Sequence, residues 1–162
     1  MTTLPTSYEK PECIDHITEA FQRRWFANSQ IVAYKPLDGN RQTIMQFGQT
    51  TSATISQWDR QRPYLAIHDL SSPGVALAYS TKFKNILRPG VTEEGTESIK
   101  SIIEDAQHFR AKIAIVVSLQ FSGHITSMFA QLEARHQQSD HITFEVFTET
   151  EAALNWLRSF LA

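Results

Sequence analysis

Cysteine is almost absent from this chain of 162 residues, which contains Cys13 alone. A single thiol excludes an internal disulfide framework and is typical of a protein from a reducing compartment. Apolar runs are also short, whereas a membrane-spanning helix needs about 20 apolar residues. Residues 1–10 lack the cationic and apolar regions of a signal peptide. We therefore expect a cytoplasmic protein without a membrane span.

The chain also lacks a large excess of acidic or basic residues. The formal net charge is −2, charged residues make up 20% of the chain, and the densest basic cluster is the pair Arg23-Arg24. Proteins that bind nucleic acid normally carry a concentrated basic surface. The sequence therefore predicts no nucleic-acid partner.

The usual motifs for metals, nucleotides and hydrolysis are missing as well. The six histidines show neither His-x-His nor His-Glu-x-x-His spacing. Gly74, Gly90, Gly95 and Gly123 each stand alone, so no glycine-rich phosphate loop is present. A Gly-x-Ser-x-Gly nucleophile elbow does not occur. These absences predict no metal and no cofactor, and they favour a protein that is not an enzyme.

The chain does contain β-prone segments that alternate with helical patterns. Asp38-Gly39 between two β-prone runs is typical of a hairpin turn. Nearly continuous apolar runs such as residues 64–70 are typical of parallel strands covered on both faces. The sequence predicts strands over 30–36, 41–47, 64–70, 111–118 and 141–147, and helices over 50–61, 75–87, 99–109 and 121–137. This order indicates an α/β fold with a mixed sheet of about five strands, an N-terminal hairpin, right-handed parallel crossovers and packed helices.

The chain ends in a strand that runs almost directly into a helix. Thr148 and Glu151 have the spacing of a capping box. Apolar residues then recur every three or four positions, at Ala153, Trp156, Leu157 and Phe160, as on one face of a helix.

An extra N-terminal helix is predicted over residues 12–27, where Ile14, Ile17, Phe21 and Trp25 recur at helical spacing. We expect residues 1–28 to comprise a tail and this helix, and residues 29–162 to form the α/β domain. The apolar stripe can be covered by the domain itself or by a second copy, which suggests a homodimer through Phe21 and Trp25.

Polar residues follow the predicted parallel strands at the edge where ligands usually bind in such sheets. Hydroxyl groups at helix starts lie beside free backbone amides, which favour anions. The same residue types are ordinary caps and turn residues. The candidate pocket residues are Asp69, Ser118, Ser122, His124 and Thr148, together with Ser71 and Ser72.

A catalytic triad is one arrangement of these residues. Asp69 and His124 can approach each other across neighbouring strand ends, with Ser122 or Ser71 as the nucleophile. His68 cannot pair with Asp69, because adjacent strand residues point to opposite faces. Since the nucleophile elbow is missing, we assign no catalytic residue.

Three segments resemble the STAS domains, the family of the anti-sigma-factor antagonists and their bacterial relatives. They are the strand that ends in Asp69-Leu70-Ser71, the strand Ile113–Val117 and the ending over residues 146–157. The resemblance covers about residues 29–162 and implies a bacterial protein with a STAS-like fold. It also implies a serine that a partner kinase phosphorylates to switch docking. The family pattern is Asp-Ser-(Ser/Thr)-Gly, whereas this chain has Asp-Leu-Ser-Ser-Pro-Gly, so Ser72 is the nearest candidate by position and Ser71 is beside it.

The sequence thus favours a regulatory protein that acts by protein–protein interaction, with a kinase or an anti-sigma-type regulator as its partner. A binding protein for an anionic or apolar small molecule is one alternative. An unrecognised serine hydrolase is the other.

Overall fold

The structure, a computed structural model, describes residues 10–80, 110–121, 123–126 and 142–161. Residues 75–80, 119–121 and 123–126 are helical, in agreement with the predicted helices that begin there. The helix predicted over 99–109 lies outside the described residues. The remaining elements are β1 (Cys13–Thr18), β2 (Phe21–Phe26), β3 (Ile31–Pro36), α1 (Arg41–Ser56), β4 (Tyr64–Asp69), β5 (Ala111–Val116), β6 (Ile142–Phe147) and α2 (Thr150–Arg158).

The strands form one six-stranded mixed sheet, in the order of the chain from β1 to β6. The strands β1, β2 and β3 pair antiparallel, and β3 to β6 pair parallel. The predicted α/β class is confirmed, and so are the strands expected at β4, β5 and β6. Every residue of β4 is buried, which explains why its sequence is nearly continuously apolar.

The extra N-terminal helix is wrong, because residues 13–26 form β1 and β2. Asp15 pairs with Arg23 across this hairpin, and Ile14 pairs with Arg24. The spacing of the large apolar residues fits a helix, but β-branched and aromatic side chains also favour strands, and the cross-strand contacts decide between the two. The expected domain boundary after residue 28 falls in the turn between β2 and β3 of one sheet.

The homodimer contact through Phe21 and Trp25 was predicted from the apolar stripe of that helix, which the structure does not contain in residues 13–26. The side chain of Phe21 is fully buried under α1, where it packs edge-on against Phe47 at 5.8 Å. The ring of Trp25 stacks on Trp58 at 6.3 Å, and its Nε1 donates a hydrogen bond to Asp15. Both aromatic residues therefore belong to the packing of this domain.

The hairpin expected at Asp38-Gly39 is also wrong, since residues 41–47 are the first half of α1. Asp38 Oδ1 accepts a hydrogen bond from the Asn40 amide at 3.0 Å, a local turn that leads into the helix. Ile44 and Phe47 lie three apart on the buried side of α1, which is a helical spacing within a run that the sequence pattern had indicated as β-prone.

The two faces of the sheet have separate apolar cores. On the first face, Tyr34 and Tyr64 pack with Phe47 of α1. On the second face, Ile67 packs with Leu157 of α2. Because the faces alternate along each strand, neighbouring residues of the same strand serve different cores.

The helix at the end of the chain is confirmed, but its predicted capping box does not form. The helix begins at Thr150, so the N-cap is Glu149, and no side chain caps the helix with a hydrogen bond. Thr148 therefore lies one residue too early. Of the predicted apolar stripe, Leu157 is fully buried, whereas Phe160 is 36% exposed. No helix among the described residues has the length and the apolar character needed to span a membrane.

Candidate functional site

An open cleft lies at the carboxyl ends of β4 and β5. Its volume is about 360 Å³. The loop after β4 forms one wall, and the helical turn that follows β5 forms the other. The cleft is lined by Leu70, Ser71, Ser72, Pro73, Gly74, Ala76, Leu77, Ser118, Gln120 and Phe121. The surface of the cleft therefore contains both hydroxyl groups and apolar side chains.

A buried carboxylate, that of Asp69, binds the start of the loop that follows β4. Asp69, the last residue of β4, is 6% exposed. Its Oδ1 accepts hydrogen bonds from the backbone amide of Ser71, at 3.0 Å, and from the Ser71 hydroxyl. Its Oδ2 lies 3.7 Å from Lys35 Nζ. The Ser71 hydroxyl is thus bound to a carboxylate that has, within the described part of the chain, one cation beside it.

The loop over residues 71–74 is held in place by a close backbone contact. Gly74 has a positive φ of 78°, a conformation that a residue with a side chain adopts at an energetic cost. Gly39, in the loop before α1, lies directly against the carbonyl of Gly74. The loop between β3 and α1 therefore packs directly against the loop that forms the wall of the cleft.

The rim of the cleft carries exposed apolar side chains. Leu77 is 63% exposed and Phe121 is 37% exposed. Leu77 lies on the helical segment that follows the cleft loop, and Phe121 lies on the segment after β5. Exposed apolar side chains therefore lie next to the polar groups of the cleft, and exposed apolar area bordered by polar residues is characteristic of interaction sites.

Beneath the helical segment, His68 forms a buried link to Tyr79. Its Nδ1 lies 3.0 Å from the Tyr79 hydroxyl, and the rings of Phe47 and Tyr34 pack edge-on at 5.1 and 5.7 Å. Burial lowers the pKa of His68 to about 3, so the imidazole is neutral at pH 7. Its Nε2 is buried without a hydrogen-bond partner. A neutral, buried histidine thus connects the sheet to the segment that carries Leu77.

A second buried hydrogen bond stiffens the same face of the sheet. The hydroxyls of Tyr34 and Tyr64 lie 2.8 Å apart. Burial is the largest cause that raises the pKa of Tyr34 to about 12. Burial also raises the pKa of Tyr64 well above its ordinary value. Both phenols are therefore neutral and serve as structural groups.

The structure brings only some of the predicted pocket residues together. Ser71, Ser72 and Ser118 line the cleft, with Asp69 behind them. His124 and Thr148 are exposed and are not among the residues that line the cleft. Ser122 lies outside the described residues.

The predicted triad is not assembled among the described residues. Asp69 is engaged by Ser71 and Lys35, and no hydrogen bond joins it to His124. The Ser71 hydroxyl donates directly to a carboxylate, whereas the serine of a catalytic triad donates to a histidine. Within the same ranges, no three His, Cys, Asp or Glu side chains are grouped as metal ligands.

Sequence reasoning missed Lys35, Gly39 and the exposed Leu77. Lys35 and Asp69 are 34 positions apart in the chain, and only the parallel pairing of β3 with β4 brings them together. Leu77 lies in the predicted helix over residues 75–87, where its residue type alone does not indicate that it is exposed.

Comparison of this chain with family models, with curated proteins and with solved structures finds no match.

Proposed function

We propose that the protein is a non-catalytic regulator of STAS-like type, which binds a partner protein through the cleft loop and the helical segment over residues 71–79. The observation that carries this proposal is the exposed Leu77 beside a loop that presents serine hydroxyls. An exposed leucine in a rim of small polar residues provides apolar area for a partner without chemistry of its own. The partner would be a kinase or an anti-sigma-type regulator.

Phosphorylation of the loop is the proposed switch, and the contacts favour Ser71 as the acceptor. Ser71 is exposed and Ser72 is half-buried, so a kinase reaches Ser71 more easily. Ser71 also connects the start of the loop to Asp69 through its two hydrogen bonds. Phosphorylation of Ser71 would break the hydrogen bond from its hydroxyl to Asp69, whereas phosphorylation of Ser72 would add a charged group to the wall of the cleft.

The electrostatic effect of such a phosphate follows from its neighbours. A phosphoserine carries a charge of about −1.5 to −2 at pH 7. At Ser71 it would replace the hydroxyl that donates to Asp69 and set two anionic groups side by side. Lys35, 27% exposed and 3.7 Å from Asp69 Oδ2, is close enough to move to the phosphate. The loop would then lose its link to Asp69 and alter the surface around Leu77.

Two measurements test the proposal. The protein is incubated with native lysate and ATP, and its phosphates are mapped by mass spectrometry. We expect phosphate at Ser71 or Ser72 and none in the Ser71→Ala/Ser72→Ala variant. The Ser159→Ala variant, at the opposite end of the chain, serves as the control. An absence of phosphate at both serines under every condition would count against the switch.

Docking is tested separately with a photo-reactive benzoylphenylalanine at position 77. A discrete adduct is expected there. A matched probe at Phe160, which packs over Lys112 near the start of β5, should give none. Equal labelling from both positions would contradict a specific docking surface.

A small-molecule binding protein is the second candidate, and the cleft of about 360 Å³ favours it, since ligand sites begin at about 300 Å³. A thermal-shift screen distinguishes it, because a ligand at 100 times its dissociation constant stabilises by about 2.7 kcal/mol. The serine hydrolase has no such support, since Asp69 has other partners.

A further inference from the structure

Among the residues that the structure describes, helix covers only part of the second face of the sheet. α2 lies against β4, β5 and β6, and the strands β1 and β2 lie outside that span at the other edge of the sheet. We call the remaining surface the open half. The side chains that share it are those of Ile14, His16, Gln22, Arg24 and Lys35.

These residues form two adjacent rows across three strands. In the first row Gln22 lies between His16 and Lys35, and in the second Arg24 lies opposite Ile14. Gln22 Oε1 accepts hydrogen bonds from Arg24 Nε at 3.3 Å and from Arg24 Nη2 at 2.9 Å. The guanidinium is therefore oriented by a neutral acceptor.

The cations of the open half exceed its carboxylates. Among the described residues, Arg24 has no carboxylate within ion-pair distance. Asp15 lies on the opposite face, 2.9 Å from Arg23, and the Glu12 carboxylate binds the Asn28 amide at 2.8 Å. Asp69 is buried and shared with Lys35 and Ser71. Although the net charge of the protein is −2, cations thus outnumber carboxylates among the described side chains of the open half.

We infer that the open half is an interaction surface for an acidic segment of a partner protein, with a carboxylate paired to Arg24 and an apolar neighbour packed on Ile14. An oriented guanidinium presents paired N–H groups that match a carboxylate. Ile14 is 41% exposed and supplies apolar area directly beside the cation.

Charge argues against a second copy as the occupant. A two-fold contact places the same patch on both sides, so Arg24 and Lys35 of one copy would face Arg24 and Lys35 of the other. Nucleic acid and membranes are poor candidates as well, because they require more extensive basic surfaces. An acidic peptide segment needs only one or two cations.

The test is an NMR titration of the ¹⁵N-labelled full chain with the capped peptide acetyl-Glu-Glu-Leu-Glu-amide. We expect the largest shifts at the backbone amides of Ile14, Gln22 and Arg24. Arg24→Gln should weaken binding about tenfold, as expected for loss of one charge pair. Arg41→Gln, which removes an exposed cation at the start of α1 on the other side of the sheet, should leave the affinity unchanged.

Any one of four results of the titration would overturn the inference. They are the absence of shifts at the open half, equal shifts with the peptide acetyl-Gln-Gln-Leu-Gln-amide, equal shifts with sodium acetate at the same carboxylate concentration, and equal weakening by Arg41→Gln. Shifts at the open half that grow with protein concentration alone would indicate a second copy and would also overturn it. The titration reports on Ile14, Gln22 and Arg24, whereas the proposed switch acts at Ser71 and Asp69, so the failure of one proposal is distinguishable from the failure of the other.

Discussion

Gly39 lies so close to Gly74 that a side chain at position 39 would overlap the carbonyl oxygen of Gly74. One loop precedes α1 and the other forms the wall of the cleft, so this backbone contact connects two parts of the chain that no hydrogen bond between side chains joins. The position of the cleft loop therefore depends on the absence of a side chain in a neighbouring loop.

We predict that Gly39→Ala displaces the loop over residues 71–74 and destabilises the protein by about 1–3 kcal/mol, the usual cost of overpacking. Gly123→Ala is the matched control, because a Cβ there meets nothing within 4 Å. In a helical segment that substitution is neutral or stabilising by up to about 1 kcal/mol. Urea denaturation measures both, and equal effects would contradict the proposed loop contact.

The buried imidazole of His68 makes the free energy of unfolding dependent on pH. Burial lowers its pKa from 6.5 to about 3, so between these values the unfolded chain binds more protons than the folded one. The stabilisation is present above pH 6.5 and is lost as the pH falls, by about 2 kcal/mol at pH 5. Denaturation at several pH values measures the slope.

His68→Gln should remove this contribution to the slope, although the variant is less stable at pH 7. Tyr79→Phe should keep it, because the imidazole stays buried while only its hydrogen bond at Nδ1 is lost. A slope that is unchanged in His68→Gln would show that the histidine is not the titrating group.

The attachment of α2 depends on a small apolar contact. Leu157 is fully buried against the second face, so Leu157→Ala should cost about 2–5 kcal/mol. Asn155→Ala, on the exposed side of the same helix, should change the stability by less than about 0.5 kcal/mol. Thermal denaturation of the two variants compares them directly, and similar midpoints would be inconsistent with this packing.

The turn between β2 and β3 stores backbone strain. Ala27, Asn28 and Ser29 all have positive φ values, between 54° and 59°, and the Glu12 carboxylate binds two of their amides. We predict that Ala27→Gly stabilises the protein by about 0.5–1 kcal/mol, because glycine adopts this conformation without steric cost. Ala53→Gly, exposed on α1, should have the opposite sign, with a loss of about 1 kcal/mol.

The strands β4, β5 and β6 of the parallel half of the sheet could be predicted from the sequence. Residues such as Leu65 and Ile67 on one face, and Ala66 on the other, are all buried, so the strand is visible as an uninterrupted apolar run. The serines of the cleft were also predictable, because residues that follow parallel strands meet at one edge of the sheet.

The antiparallel half could not be predicted in the same way. Ile14, Phe21 and Trp25 satisfy a helical spacing as well as a strand pattern, and the pairing of Asp15 with Arg23 that favours the hairpin is a contact between different strands. The proximity of Lys35 to Asp69 could not be predicted either, because it is also a contact between different strands. Contacts between distant parts of the chain, which local patterns do not contain, determined both.

The central claim is that a phosphate at Ser71 switches docking at the surface around Leu77. The most direct measurement compares cross-linking from position 77 in two forms of the protein, one with serine and one with genetically encoded phosphoserine at position 71, in the same native lysate. We predict that the yield of the discrete adduct changes by about tenfold between the two forms, as expected for about 1.4 kcal/mol of binding free energy. Equal yields of the same adduct would contradict it.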